Sequence, residues 1–143
     1  MEPKLLMALA FALMGDVPYS QPQANLLDGM IDRMNAEPLA FVVHVGDITS
    51  GRGPCGDAWL EARRDQCRRF RAPFVLLPGD NEWTDCHRPA AGAFNPLERL
   101  GAIRRVFIPR AGVTLGRHPM RVRSQAKLGV PEGAFGDWFP GIS

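Results

Sequence analysis

Lysine is nearly missing from this chain. Only Lys4 and Lys127 stand among its 17 basic residues, and the other 15 are arginines. Arginine is favoured where phosphate or nucleic acid is gripped. Yet no interleaving of arginines with aromatics marks a nucleic-acid surface, and the base composition of a genome produces the same bias. Tyr19 is the only tyrosine, and there are three histidines and three cysteines. No C-x-x-C pair occurs, which removes the common zinc spacings. The odd cysteine count leaves at least one thiol unpaired within the chain. No apolar run approaches the ~20 residues of a membrane-spanning helix. A net charge of +2 over 143 residues singles out no partner.

What remains is an ordinary globular composition, 45% apolar and 22% charged, enough for one domain with a real core. Lys4 followed by the apolar run 5–14 has the outline of a signal peptide. The run leads directly into Gly15-Asp16, so it reads as a first strand. That weighs toward the cytoplasm and leaves export open.

Three continuous apolar runs, Leu5–Met14, Leu39–Val45 and Pro73–Pro78, have the character of strands buried on both faces. Between them lie helical patterns. Pro22 opens the first, with Leu26, Leu27, Met30, Ile31 and Met34 on one stripe. Asp57 is the expected N-cap of a second helix over 58–71, whose arginine-rich face should meet water. Asn95-Pro96 caps a third, with Leu97, Leu100, Ile103 and Phe107 as its stripe. Residues 109–143 are rich in Gly, Pro and Arg and read as an irregular tail with room for one short strand. The pattern βαβαβα predicts a three-layer α/β fold on a parallel sheet with right-handed crossovers.

Each strand run ends on Gly-Asp, or Pro-Gly-Asp in the third: Asp16, Asp47 and Asp80. Asp47 follows Asp16 by 31 residues and Asp80 follows Asp47 by 33. A βαβ unit takes on the order of 30 residues, so the three aspartates should occupy equivalent positions. Ligands of open parallel sheets bind at the carboxyl ends of the strands. Three carboxylates on one rim repel, and stay ionised together only around a cation. Oxygen donors suit Mg, Mn, Ca or Fe, and with imidazole also Zn. The alternative is that each Gly-Asp is turn chemistry alone.

The segments Gly15-Asp16-Val17-Pro18-Tyr19-Ser20, Gly46-Asp47-Ile48 and Pro78-Gly79-Asp80-Asn81-Glu82-Trp83 resemble the first three motifs of the calcineurin-like metallophosphoesterases: D-x-H, then G-D, then G-N-H-D/E. The run from Gly79 to Arg88 is similar to a divergent bacterial branch of that superfamily. The resemblance covers about 5–107, the N-terminal half of the family's fold. It implies hydrolysis of a phosphate ester by a metal-activated water, with two divalent ions (Mn, Fe, Zn or Mg) in a complete site. Asp16 would be a terminal ligand, Asp47 the bridge, and Asp80 would stand where the family has a metal-binding Asn.

The sequence departs from the family pattern in three places. Pro18 replaces the first-motif His. Asn81 replaces the third-motif His that assists the leaving group. The histidines of the family's second half have no counterpart.

Around this rim, His87 is a loop histidine placed to touch metal or phosphate. Tyr19 is a candidate substrate contact, and Arg52 and Arg88 are candidates for gripping phosphate. His44 reads as a hydrogen-bonded core residue or a support beneath the metal. Glu82 and Asp85 read as further ligands or as braces of their loop. Cys55 and Cys86 follow adjacent site strands and would pair in an exported protein. The half-fold 1–108 should leave a sheet edge or face open, and so associate with itself or with a missing C-terminal half. Two other readings remain: a non-catalytic cation-binding relative, and a receiver-type phospho-acceptor, which lacks its strand lysine here.

Overall fold

The computed structural model describes residues 9–124. Lys4, the start of the first apolar run, Lys127 and residues 125–143 of the expected tail lie outside them. The chain runs β1 (Ala12–Met14), α1 (Gln21–Ala36), β2 (Val42–His44), α2 (Asp57–Cys67), β3 (Phe74–Leu76) and α3 (Pro96–Phe107). Two short 3-10 turns, Asp85–His87 and Pro89–Ala91, interrupt the loop before α3.

Local chemistry sets most helix starts. The Ser20 hydroxyl accepts from the Gln23 N–H, with Pro22 in the first turn. Asn95 accepts from the N–H groups of Leu97 and Glu98, and Pro96 is the first helical residue. The second helix differs from expectation. Gly56 is its N-cap and Asp57 is already helical. The Asp57 carboxylate is taken instead by Arg99 of α3, at 2.7 Å, so a tertiary ion pair displaces the local cap.

The sheet is parallel, in the order β1-β2-β3. Its register aligns Ala12 with Val42 and Phe74, and Met14 with His44 and Leu76. Right-handed crossovers taken in one direction across a sheet deliver their helices to one face. Accordingly Leu27 and Ile31 of α1, Leu60 and Cys67 of α2, and Ile103 and Phe107 of α3 share one core with Val42, Phe74 and Leu76. Three layers were expected; among the described residues there are two.

The opposite sheet face carries Phe11, Leu13, Val43, Val45, Val75 and Leu77. Leu13 is 64% exposed, Phe11 53% and Val45 47%, and Phe11 stacks on Phe41. The strand pattern therefore overstates burial, because no helix among the described residues lies on this side.

Two stripe residues also differ. Leu26 and Leu97 are exposed. Arg63, expected on a wet face, is buried over the Trp59 ring, and Arg99 is buried over Phe94. The stems of long cations can cover apolar surface in this way.

Part of the C-terminal region is ordered against the sheet. Leu115 forms an antiparallel bridge to Phe74, with both hydrogen bonds made (2.9 and 3.0 Å), and Val113 bridges Arg121. This covers the outer edge of β3 and leaves that of β1 free among the described residues. No helix among them is long and apolar enough to cross a membrane.

Candidate functional site

The turns after the three strands meet at one rim. Asp16 and Asp47 sit in the left-handed region, at φ 59° and 60°. Few non-glycine residues adopt it, and aspartate is among those that tolerate it best. Two residues at equivalent positions of successive βα units thus share one uncommon backbone geometry, of the kind that clusters at functional sites. The Asp16 N–H donates to the Gly46 carbonyl, at 3.1 Å, tying the first turn to the second. The second and third turns press together. A Cβ on Gly79 would lie 2.1 Å from Asp47 Oδ1 and 2.7 Å from Asp47 N, so this position admits only glycine.

Asp47 lies at the centre. Burial raises its pKa first; the Asn81 N–H, donating to Oδ1 at 3.3 Å, pulls it back down. The neighbouring carboxylates of Asp80 and Asp16 raise it again, and so does a carboxyl–carboxylate hydrogen bond with Asp80. None of these groups is a cation. Asp16 and Asp80 therefore each lie within electrostatic reach of Asp47, and no basic side chain is among the groups that act on it.

Glu82 lies beneath, with no exposed surface. Its oxygens accept from the Asp47 N–H (3.0 and 3.2 Å), and Oε1 also accepts from the Gly79 N–H (2.9 Å). Burial pushes its carboxyl up to about 7, against the lowering effect of the backbone donors.

Tyr19 donates its hydroxyl to Asp16 Oδ1 at 2.7 Å. Its pKa is pushed up to about 12, first by burial and then by the Asp16 carboxylate. His44 is a core residue. Nε2 contacts the Val17 carbonyl at 2.7 Å, and Nδ1 accepts from the Gly46 N–H at 3.1 Å. Both ring nitrogens are thus engaged, and desolvation lowers its pKa. It braces the first two turns and presents no free nitrogen to a metal.

The Asn81 side chain donates to the Thr49 carbonyl at 3.0 Å; it is the backbone of Asn81 that faces Asp47. Asp85 is buried and paired with Arg88 at 2.8 Å, and Arg88 also donates to the Gly51 carbonyl. Arg88 therefore staples the loop after β2 to the loop after β3. Arg52 is exposed. His87 is exposed too, with Nδ1 2.7 Å from the Thr84 carbonyl.

A disulfide joins Cys55 to Cys86, so the two site loops are linked covalently as well. Cys67 is free and buried. Sequence reasoning missed the support that Arg99 gives these loops. Its Nη1 donates to the Cys55 carbonyl at 2.9 Å as well as to Asp57. Nothing in the sequence sets Arg99 apart from the other helical arginines.

In donor type and in charge, Asp16, Asp47 and Asp80 fit a hard divalent cation. They do not form a closed shell: among the described residues no group of three or more His, Cys, Asp or Glu side chains is disposed to hold a metal ion. Comparison of the chain with models of known protein families, with curated proteins and with solved structures finds no match.

Proposed function

We propose that this chain acts as a metal-dependent phosphoesterase whose cation is held at the acidic rim of Asp16, Asp47 and Asp80. The observation that carries the reading is the rim itself. Asp16 and Asp47 stand in matching left-handed turns, and Asp80 hydrogen-bonds Asp47, with no basic side chain among the described groups that act on Asp47. Asp16, Asp47 and Asp80 would hold the cation. When bound, the cation supplies charge neutralisation at phosphorus and lowers the pKa of water to yield a nucleophile. The Tyr19 hydroxyl orients Asp16. Arg52 and the exposed part of Arg88 lie on the adjoining loops as phosphate contacts.

A second reading, cation binding without turnover, is favoured by one set of observations. The Asn81 side chain is committed to Thr49, and both nitrogens of His44 are engaged. Neither side chain is then free to hand a proton to a leaving group.

One experiment separates the two readings. Mn and Mg binding is measured by calorimetry, and hydrolysis of an aryl phosphate monoester and diester is followed, in the wild-type chain and in Asp47→Ala. Hydrolysis that Asp47→Ala abolishes supports the phosphoesterase. Binding without turnover supports the second reading. A wild-type chain that binds neither ion refutes both.

A further inference from the structure

One question of physical chemistry remains at the rim: why a carboxylate is buried against the backbone of Asp47 and Gly79. Glu82 has no exposed surface. Enclosing an ionisable acid is costly unless its oxygens are met by donors. The donors that meet it belong to two different turns, the Asp47 N–H after β2 and the Gly79 N–H after β3. These turns already touch, since no Cβ fits on Gly79 against Asp47.

We infer that Glu82 is the positioning residue of the acidic rim: its carboxylate clamps the Asp47 and Gly79 amides and so sets the spacing of Asp47 and Asp80 around a shared cation. This deepens the cation-binding reading and rests on it. The clamp accounts for the backbone of Asp47. An amide drawn inward to Glu82 goes with the left-handed φ of 60°, which leaves the Asp47 side chain at the rim with Asn81 and Asp80. Oε1 meets both amides (3.2 and 2.9 Å) and Oε2 adds the shorter contact to Asp47 (3.0 Å), so a side chain with one accepting oxygen keeps only part of the clamp. Glutamine would present an NH2 donor to one of the two N–H groups. Glu82 touches neither substrate nor cation in this account and acts through Asp47 and Gly79.

The test uses the full chain, with Glu82→Gln as the isosteric variant and Glu82→Asp as the conservative one. Amide hydrogen exchange at Asp47 and Gly79 is read by NMR in the metal-free protein, and Mn and Mg affinities by calorimetry. In the wild type both amides should be protected. In Glu82→Gln their exchange should accelerate, and cation affinity should fall about 10- to 100-fold, as for other groups that orient ligands, while unfolding stays cooperative. Glu82→Asp should recover part of both.

Wild-type amides that exchange at solvent rates overturn the clamp, even if neither variant folds. So does a Glu82→Gln chain with protected amides and unchanged affinity. Should the wild type bind no cation, the rim reading fails, and the clamp is judged on exchange alone.

Discussion

Replacing Gly79 by alanine tests the contact between the second and third turns most directly. The new methyl would fall 2.1 Å from Asp47 Oδ1, 2.7 Å from Asp47 N and 2.9 Å from Asp47 Cγ, where ordinary contact is 3.4–4 Å. The carboxylate can rotate away, but the backbone nitrogen cannot. Gly79 is not in the left-handed region, so the cost is steric and not conformational. Overpacking of this kind costs about 1–3 kcal/mol. Separating the turns also strains the shared Glu82 contacts, and a hydrogen bond to a charged group is worth about 1.5–3 kcal/mol. Together a loss of roughly 3 kcal/mol is expected.

Gly29→Ala is the matched control. Gly29 lies in α1 with nothing within 4 Å of its added Cβ, and helix propensity predicts a gain of about 1 kcal/mol. Urea unfolding of both variants, followed by circular dichroism, gives the two differences, and calorimetry with Mn gives the effect on binding. The expected result is a destabilised Gly79→Ala chain that no longer binds, beside a Gly29→Ala chain that is slightly more stable and binds normally. A Gly79→Ala chain as stable as the wild type, with unchanged affinity, would refute the reasoning about how the turns meet.

Other outcomes follow from the same geometry. Tyr19 is the only tyrosine, so its ionisation can be followed by ultraviolet absorbance; the midpoint should lie near 12 and move only part of the way down toward 10 in Asp16→Asn, because burial, the larger cause, stays. Because this acid holds its proton more tightly when folded, its contribution to stability should be intact below pH 10 and decline as pH rises from 10 toward 12. Thiol titration of the denatured chain without reductant should find one thiol, Cys67, where three would mean that Cys55 and Cys86 are unpaired. Ile31 has 0% exposure at the centre of the core, and Ile31→Ala should cost about 2–5 kcal/mol by denaturant unfolding. The open sheet face predicts self-association at high concentration; light scattering should show Leu13→Lys to be less associated, and a strictly monomeric wild type would count against it.

Much of the fold was legible because its signals are local. Asn95-Pro96 and Ser20 with Pro22 cap helices by contacts within a few residues. The apolar runs mark strands by composition, and the even spacing of Asp16, Asp47 and Asp80 follows from the repeat length of a βα unit. The misreadings all concern what lies across the chain from a residue. Asp57 looked like a cap until Arg99 approached from α3. Arg63 looked exposed until Trp59 lay under it. Leu13 looked buried because apolar character records what a residue prefers, not what covers it. The candidate site divides in the same way. His44 was open between a hydrogen-bonded core residue and a support beneath the metal, and its hydrogen bonds show the core residue, bracing the first two turns. Asn81 and Arg88 were assigned by position, yet their side chains are engaged by the neighbouring loop.

The sequence by itself determined the order and type of the elements, the strand-end placement of the three aspartates and the glycines that let the turns approach. These depend on local periodicity, capping and backbone freedom. Only the tertiary structure decided that all three helices share one face, that Glu82 holds the amides of two turns, and that Cys55 meets Cys86. Each of these depends on which distant segments come within a few ångströms, and the direction of two crossovers and the contact of Gly79 with Asp47 settle that.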